Sequence, residues 1–182
     1  MEISTKRLVL REFGEGDVDE VHAFASDPTV FTFVEWGPNT PEDTAGFLRQ
    51  CGAEQLLEPW ETITRAMTRD STPIGSIALM LAESDLAREP GEAEIGYVLR
   101  ADEWGNGYAA EAAAAMLELA WNALGISRVL ATCRPENTGS VRVLEKVGMR
   151  RVDYLRGHKH IDGVARDSLL FEMRSPLRSP HA

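Results

Sequence analysis

The sequence has no long apolar run. Its opening, MEISTKRLVLREF, mixes charged and aliphatic residues throughout, which predicts neither a secretion leader nor a membrane-spanning helix. Cysteine is scarce. Cys51 and Cys133 stand far apart and form no CxxC pair, which argues for two reduced thiols in a cytoplasmic protein. Histidine is sparse as well. His158 and His160 alternate along one predicted strand and share a face, but no cysteine or third histidine lies near them. We therefore expect solvent-facing histidines and no metal site. Positive charge is in deficit: 19 basic against 29 acidic residues leave a formal net charge of −10. That balance opposes non-specific nucleic-acid binding, which needs a basic footprint. It favours the approach of a cationic partner, such as an amine, and keeps the protein soluble. No repeat, linker or low-complexity tract divides the chain.

What is present is the profile of one folded domain. The chain has 182 residues, 43% of them hydrophobic and 26% charged. Residues 5–13, TKRLVLREF, alternate and predict a strand. Asp17 with Glu20 reads as a capping box opening a helix through Val21, Phe24 and Ala25, which Asp27-Pro28 ends. A loop with Phe31, Phe33 and Trp36 follows. Thr40-Pro41-Glu42-Asp43 starts a second helix that runs to about Cys51. Two antiparallel strands are expected over 61–68 and 74–81, joined by the turn 69–73. A charged loop over 83–91 leads to a strand over 92–99. The alanine-rich segment after it is a strong helix, with Ala113, Met116, Leu117, Ala120 and Leu124 on one face and Gly125 as its stop. A strand over 128–133, a short helix over 137–147 and two strands over 150–158 and 165–173 complete the pattern. We read one domain over 5–175 with a frayed tail over 176–182. The order β-α-α-β-β-β-α-β-α-β-β is that of a mixed α/β (α+β) fold.

One stretch carries chemistry. Trp104-Gly105-Asn106-Gly107-Tyr108-Ala109 stands where a strand gives way to a helix. Glycines let backbone N–H groups approach a ligand with no Cβ in the way. The helix behind presents unpaired N–H groups and the positive end of its dipole. Together these suit a pyrophosphate. The same residues match G-x-G-x-x-A at Gly105, Gly107 and Ala110, so a nucleotide-dependent oxidoreductase is a rival reading. Against it, the five residues 100–104 separate the strand from the glycines, a large N-terminal half precedes them, and little chain is left for a substrate domain.

The run EIGYVLRADEWGNGYAAEA resembles the acetyl-CoA motif of the GNAT N-acetyltransferases. RPENTGSVRVLEKVGM is similar to their second coenzyme-A segment. TKRLVLREF and RDSLLFEM resemble the branch of the ribosomal-protein alanine acetyltransferases, the RimJ/RimL-like proteins. The likeness spans nearly the whole chain, in the right order. It implies the GNAT fold: a twisted, mostly antiparallel sheet with central splayed strands and about four helices. It implies acetyl-CoA as cosubstrate, a primary amine as acceptor (a protein N-terminus or a small molecule) and a homodimer. By this resemblance Val98 and Leu99 would offer backbone groups to the pantetheine arm, as an added strand pairs with an edge. Amides from Trp104, Gly105, Asn106, Gly107, Tyr108 and Ala109 would hold the pyrophosphate. Asn137 would bond the pantetheine region, with Ser140 near the thioester sulfur. The family pattern favours Arg or Gln where this chain has Trp104, and an aromatic there is common in the alanine-acetyltransferase branch.

The expected reaction is attack of a neutral amine on the thioester, with an amide N–H near Val98 or Leu99 polarising the carbonyl. At pH 7 an α-amine of pKa about 7.7–8 costs about 1 kcal/mol to deprotonate, and a lysine amine of pKa about 10.4 costs about 4.6 kcal/mol. A base is therefore optional for the first and useful for the second. Glu94 is the candidate base and amine-binding residue, and Glu92 reads as a solvated strand carboxylate. Where relatives carry a glutamate on the next strand this chain has Thr132, and a water-relayed route is open. Where many relatives place a tyrosine this chain has Leu144, which leaves Ser140 as the candidate acid. Trp36, with Phe31 and Phe33, is a candidate for the acceptor pocket. Arg100, Arg134, Arg142 and Lys146 flank the expected coenzyme site. A non-catalytic coenzyme-A sensor is the third reading.

Overall fold

The strands assemble into an eight-stranded sheet in the order β1-β2-β3-β4-β5-β6-β8-β7, and a central strand such as β3 is buried along almost its whole length. The computed structural model describes residues 2–177 except 35, 82, 83 and 162. The strands are β1 (Ile3–Ser4), β2 (Val9–Arg11), β3 (Thr62–Arg69), β4 (Thr72–Met80), β5 (Glu92–Leu99), β6 (Arg128–Cys133), β7 (Arg150–Ile161) and β8 (Val164–Arg174). The helices are α1 (Val18–Ala25), α2 (Pro41–Glu54), α3 (Tyr108–Asn122) and α4 (Thr138–Lys146). Every neighbouring pair is antiparallel except β5 and β6.

Two apolar layers cover the sheet. On one face α3 buries Ala109, Ala112, Ala113, Met116 and Ala120 together with Ile77, Ile95 and Leu99 of the strands. The alanines are short enough to bring the helix backbone close to the sheet. On the other face α1 and α2 bury Val21, Phe24 and Cys51 against Ala66 and Val98. The opposite allegiance of Val98 and Leu99 follows from the period-two alternation of a strand. At its parallel start β6 is tied to both neighbours by Arg128, which pairs with Glu92 of β5 at 2.8 Å and Glu172 of β8 at 2.7 Å. Glu92 is thus an ion-paired carboxylate, held below its usual range by the Arg128 bond, and not the solvated one expected.

Local signals placed most boundaries, with four corrections. The first strand is broken. Residues 5–8 turn out of the sheet between β1 and β2, because the Leu8 N–H bonds the Thr5 hydroxyl and the Arg7 N–H is drawn to Glu111 of α3. The cap before α1 is not Asp17 with Glu20. The Asp17 carboxylate accepts from the Gly14 N–H at 2.8 Å and pairs with Arg11 at 2.7 Å, which closes a short 3₁₀ turn (Glu15–Asp17) ahead of the helix. The second helix starts as expected, with Thr40 and Asp43 bonding each other's backbone, but runs a turn longer, to Glu54. The turn after β3 has two residues rather than five: Asp70 and Ser71 both adopt positive φ, +50° and +69°, the conformation of a tight type I′ hairpin. At the C-terminal end the Ser175 N–H bonds the Ser127 carbonyl. Glu83 of the expected charged loop and residues 178–182 of the expected tail lie outside the described residues.

Candidate active site

The parallel pairing of β5 with β6 is short. It joins Glu92, Ala93 and Glu94 to Arg128, Val129 and Leu130 and ends there, although both strands continue. Beyond it β5 stays paired with β4, and β6 with β8. The sheet therefore opens into a wedge whose apex is Glu94 and whose arms are 95–99 and 131–133. On the β5 arm, which groups face the opening is set by ladder parity. Arg100 N–H donates to the Ile74 carbonyl, so Val98 and Gly96 point their backbone groups to β4 as well. The Gly91 carbonyl takes the N–H groups of Ser127 and Arg128, so Ile95, Tyr97 and Leu99 point theirs to the β6 side. Leu99 thus has the orientation expected of it and Val98 does not. Val98 offers only its side chain, which lines the opening.

The wedge continues into a cleft of about 580 Å³ between α3, α4 and the loop after α1. Its walls bring together, from the expected set, Val98, Leu99, Trp104, Gly105, Gly107, Tyr108, Ala109, Asn137 and Ser140. Gly105 and Gly107 hold φ of +78° and +82°, which other residues avoid. A Cβ on Gly107 would stand 3.3 Å from Lys146 Nζ and 3.7 Å from Arg7 Nη2, so two cations close on that glycine. Trp104 is half exposed, and its indole N–H donates to the Leu99 carbonyl at 2.8 Å. The loop is thereby pinned to the end of β5. The Asn106 side chain turns away and donates to the Glu103 carbonyl, so Asn106 stays off the cleft wall.

Asn137 caps α4, its side-chain oxygen accepting from the Ser140 N–H at 3.0 Å. That bond holds Ser140 in the first turn, facing the cleft. From β5 the Tyr97 hydroxyl donates to the Ser140 carbonyl at 3.3 Å, spanning the open wedge. Burial keeps the Tyr97 phenol protonated far above neutral pH. Leu144 is a core residue and no donor.

Glu94 stands at the apex, on the Val98 face, rather than on the cleft wall. Burial pushes its carboxyl up, and hydrogen bonds from Ser84, at 2.6 Å, and Thr132 offset this only in part. A carboxyl poised above its ordinary range suits proton transfer near neutrality.

Other expected residues sit elsewhere. Trp36 packs edge-on against Phe31 with centroids 4.8 Å apart, while Val30, Phe33 and Val34 line the cleft in its place. Arg100 pairs with Asp102 and Glu20, and Arg134 is buried with its guanidinium donating to the Asp167 carbonyl and the Ser168 hydroxyl. Arg142 and Lys146 do line the cleft. His158 is part-buried against Ser168 at 3.0 Å rather than solvent-facing. Among the described residues no group of three or more His, Cys, Asp or Glu is placed to hold a metal, and no helix is long and apolar enough to cross a membrane.

A family model described as the acetyltransferase (GNAT) domain matches residues 7–150. The chain belongs to that family. The uncharacterized N-acetyltransferase YnaD of Bacillus subtilis (strain 168) is 34% identical to this GNAT chain over 156 residues, 86% of each. A GNAT-family acetyltransferase from Bacillus anthracis superposes with a TM-score of 0.82 at 30% identity, covering 96% of this chain and 98% of that one. The RimJ of Mycobacterium smegmatis, solved with CoA-disulfide, shares the fold with a TM-score of 0.82 at 22% identity, covering 96% and 88%.

Membership makes this GNAT protein an acyltransferase and displaces the oxidoreductase reading. The sheet agrees: a dinucleotide fold flanks its glycine loop with parallel strands on both sides, and here, among the described residues, one pair alone is parallel. Two residues of the site, Tyr97 on the cleft wall and Arg7 behind the glycine loop, carry no clear signal in the sequence. Tyr97 was legible in principle, since it alternates with Val98, but the facing direction of β5 depends on the ladder. Arg7 carried no local signal, because its partner Asn106 lies 99 residues away.

Proposed function

We propose that the protein moves the acetyl group of acetyl-CoA onto a primary amine, either a protein N-terminal α-amine or a small-molecule amine, by direct attack on the thioester. The observation that carries this reading is the end of the β5–β6 ladder at Glu94 and Leu130, which leaves a strand edge open beside a glycine loop at a helix N-terminus. An extended pantetheine arm would pair with the odd-numbered groups of β5, and the pyrophosphate would meet amides 105–109. The RimJ structure of the same fold contains CoA-disulfide, which supports that donor. The amine nitrogen forms the C–N bond as its proton leaves toward Glu94, through water because Glu94 stands at the apex. A Tyr97 or Leu99 N–H steadies the oxyanion. The C–S bond then breaks, and the leaving thiolate is protonated through the Ser140 hydroxyl, which recovers its proton from solvent water. The acidic surface favours a cationic acceptor. A homodimer belongs to this reading by family resemblance, and a cytoplasmic location by the two cysteines with no CxxC pair.

Thermal unfolding with acetyl-CoA, free CoA, NAD and NADP tests it. A ligand at about 100 times its Kd adds about 2.7 kcal/mol. We expect stabilisation by acetyl-CoA and CoA, then release of free thiol when amines are screened. Stabilisation by a dinucleotide alone would overturn the reading. Binding of acetyl-CoA with no thiol release from any amine would make the protein a sensor.

A further inference from the structure

Arg7 lies between β1 and β2, far in sequence from the glycine loop, yet it holds that loop from several sides. Its Nη1 donates to the Asn106 carbonyl at 3.0 Å. Its Nε donates to Glu111 Oε2 at 2.7 Å, and its backbone N–H to Glu111 Oε1 at 2.7 Å. Its guanidinium carbon stands 4.5 Å from the centre of the Tyr108 ring. Its Nη2 is the atom that approaches Gly107. The Thr5 hydroxyl donates to the same Glu111 oxygen at 2.7 Å.

A loop with two left-handed glycines has many alternative shapes, and each unused shape costs entropy when a ligand selects one. An anion site needs the N–H groups to converge, so the carbonyls between them must point away. Asn106 is the residue between the two glycines, and Arg7 fixes its carbonyl outward. A planar guanidinium with several donors can serve Asn106, Glu111 and the Tyr108 face together, which a lysine cannot. Glu111 neutralises much of the charge, so the role is to position. On the side of α4 Lys146 Nζ approaches the same glycine.

We propose that Arg7, oriented by Glu111, is the positioning residue of the phosphate loop, holding the Asn106 carbonyl outward so that the amides around it converge on the pyrophosphate of the acyl donor. The proposal rests on the acetyl-CoA reading above.

The test is equilibrium binding to the full chain, with CoA measured by calorimetry and pantetheine, which lacks the pyrophosphate, by NMR titration. Wild type is compared with Arg7→Lys, Arg7→Ala and Glu111→Gln. We expect CoA to bind about tenfold more weakly to each variant and pantetheine to bind as it does to wild type. Unchanged pantetheine binding also reports an intact cleft. If the variants bind CoA like wild type, or lose both ligands equally, Arg7 does not act on the phosphate loop. If wild type itself binds neither ligand, the acetyl-CoA reading fails and takes this proposal with it.

Discussion

The Trp104 indole N–H donates to the carbonyl of Leu99 at 2.8 Å, across the short segment that joins β5 to the glycine loop. The bond occupies a carbonyl that faces the open wedge, and it sets where the loop begins. It explains why an aromatic with a donor can stand where a longer polar residue is the commoner choice. A hydrogen bond of this kind contributes about 0.5–1.5 kcal/mol. Trp104→Phe keeps the ring and removes the donor, and should bind acetyl-CoA about two- to tenfold more weakly in calorimetry. Unchanged affinity would remove the bond from the donor site.

The proposed base, Glu94, sets the pH dependence we expect. Burial holds its carboxyl above the ordinary range, so a base at this position becomes competent as pH rises through that raised value. The acidic limb of kcat/KM should lie higher than a free glutamate would place it. Glu94→Gln should lower kcat/KM about 10²-fold or more and abolish that limb. The stability sign is opposite. The folded carboxyl keeps its proton to higher pH than the unfolded one, so its stabilisation is full below the unfolded pKa and is lost as pH rises through the folded value. Wild type should therefore lose stability relative to the glutamine variant across that interval, read by chemical denaturation at a series of pH values.

Ser140 is held by Asn137 and faces the cleft. Ser140→Ala leaves the backbone N–H that Asn137 caps, so α4 should keep its first turn. The variant should turn over more slowly while its Kd for acetyl-CoA changes little. Turnover equal to wild type would reject the acid role.

The β3–β4 turn predicts a gain. Ser71 carries a Cβ at φ +69°, a conformation that costs an L-residue on the order of 1 kcal/mol. Ser71→Gly should raise the thermal midpoint, because glycine adopts that φ freely and suits the second place of a type I′ turn. A lower midpoint would mean that the turn relies on the serine side chain.

The limits of β5 and β6, the Thr40 cap, the alanine face of α3 and the glycine loop were all legible, because each is a signal within one turn or one strand. The broken first strand was not. Its alternation is intact in the sequence, and the break comes from Glu111 drawing Arg7 out of the sheet. The tight hairpin is not legible either, because Asp70 and Ser71 lack the Asn-Gly signature of their turn.

The sequence by itself determined that the chain makes a glycine loop at a helix start and that the serine and asparagine of α4 follow it in order. Propensity, capping and glycine spacing are local, and they survive any arrangement of the rest. Only the tertiary structure decided which backbone groups of β5 face the wedge, that Glu94 stands at its apex, and that Arg7 meets Asn106. Those depend on ladder parity and on side chains that are neighbours in space but distant in the chain, and no local pattern encodes a partner 99 residues away.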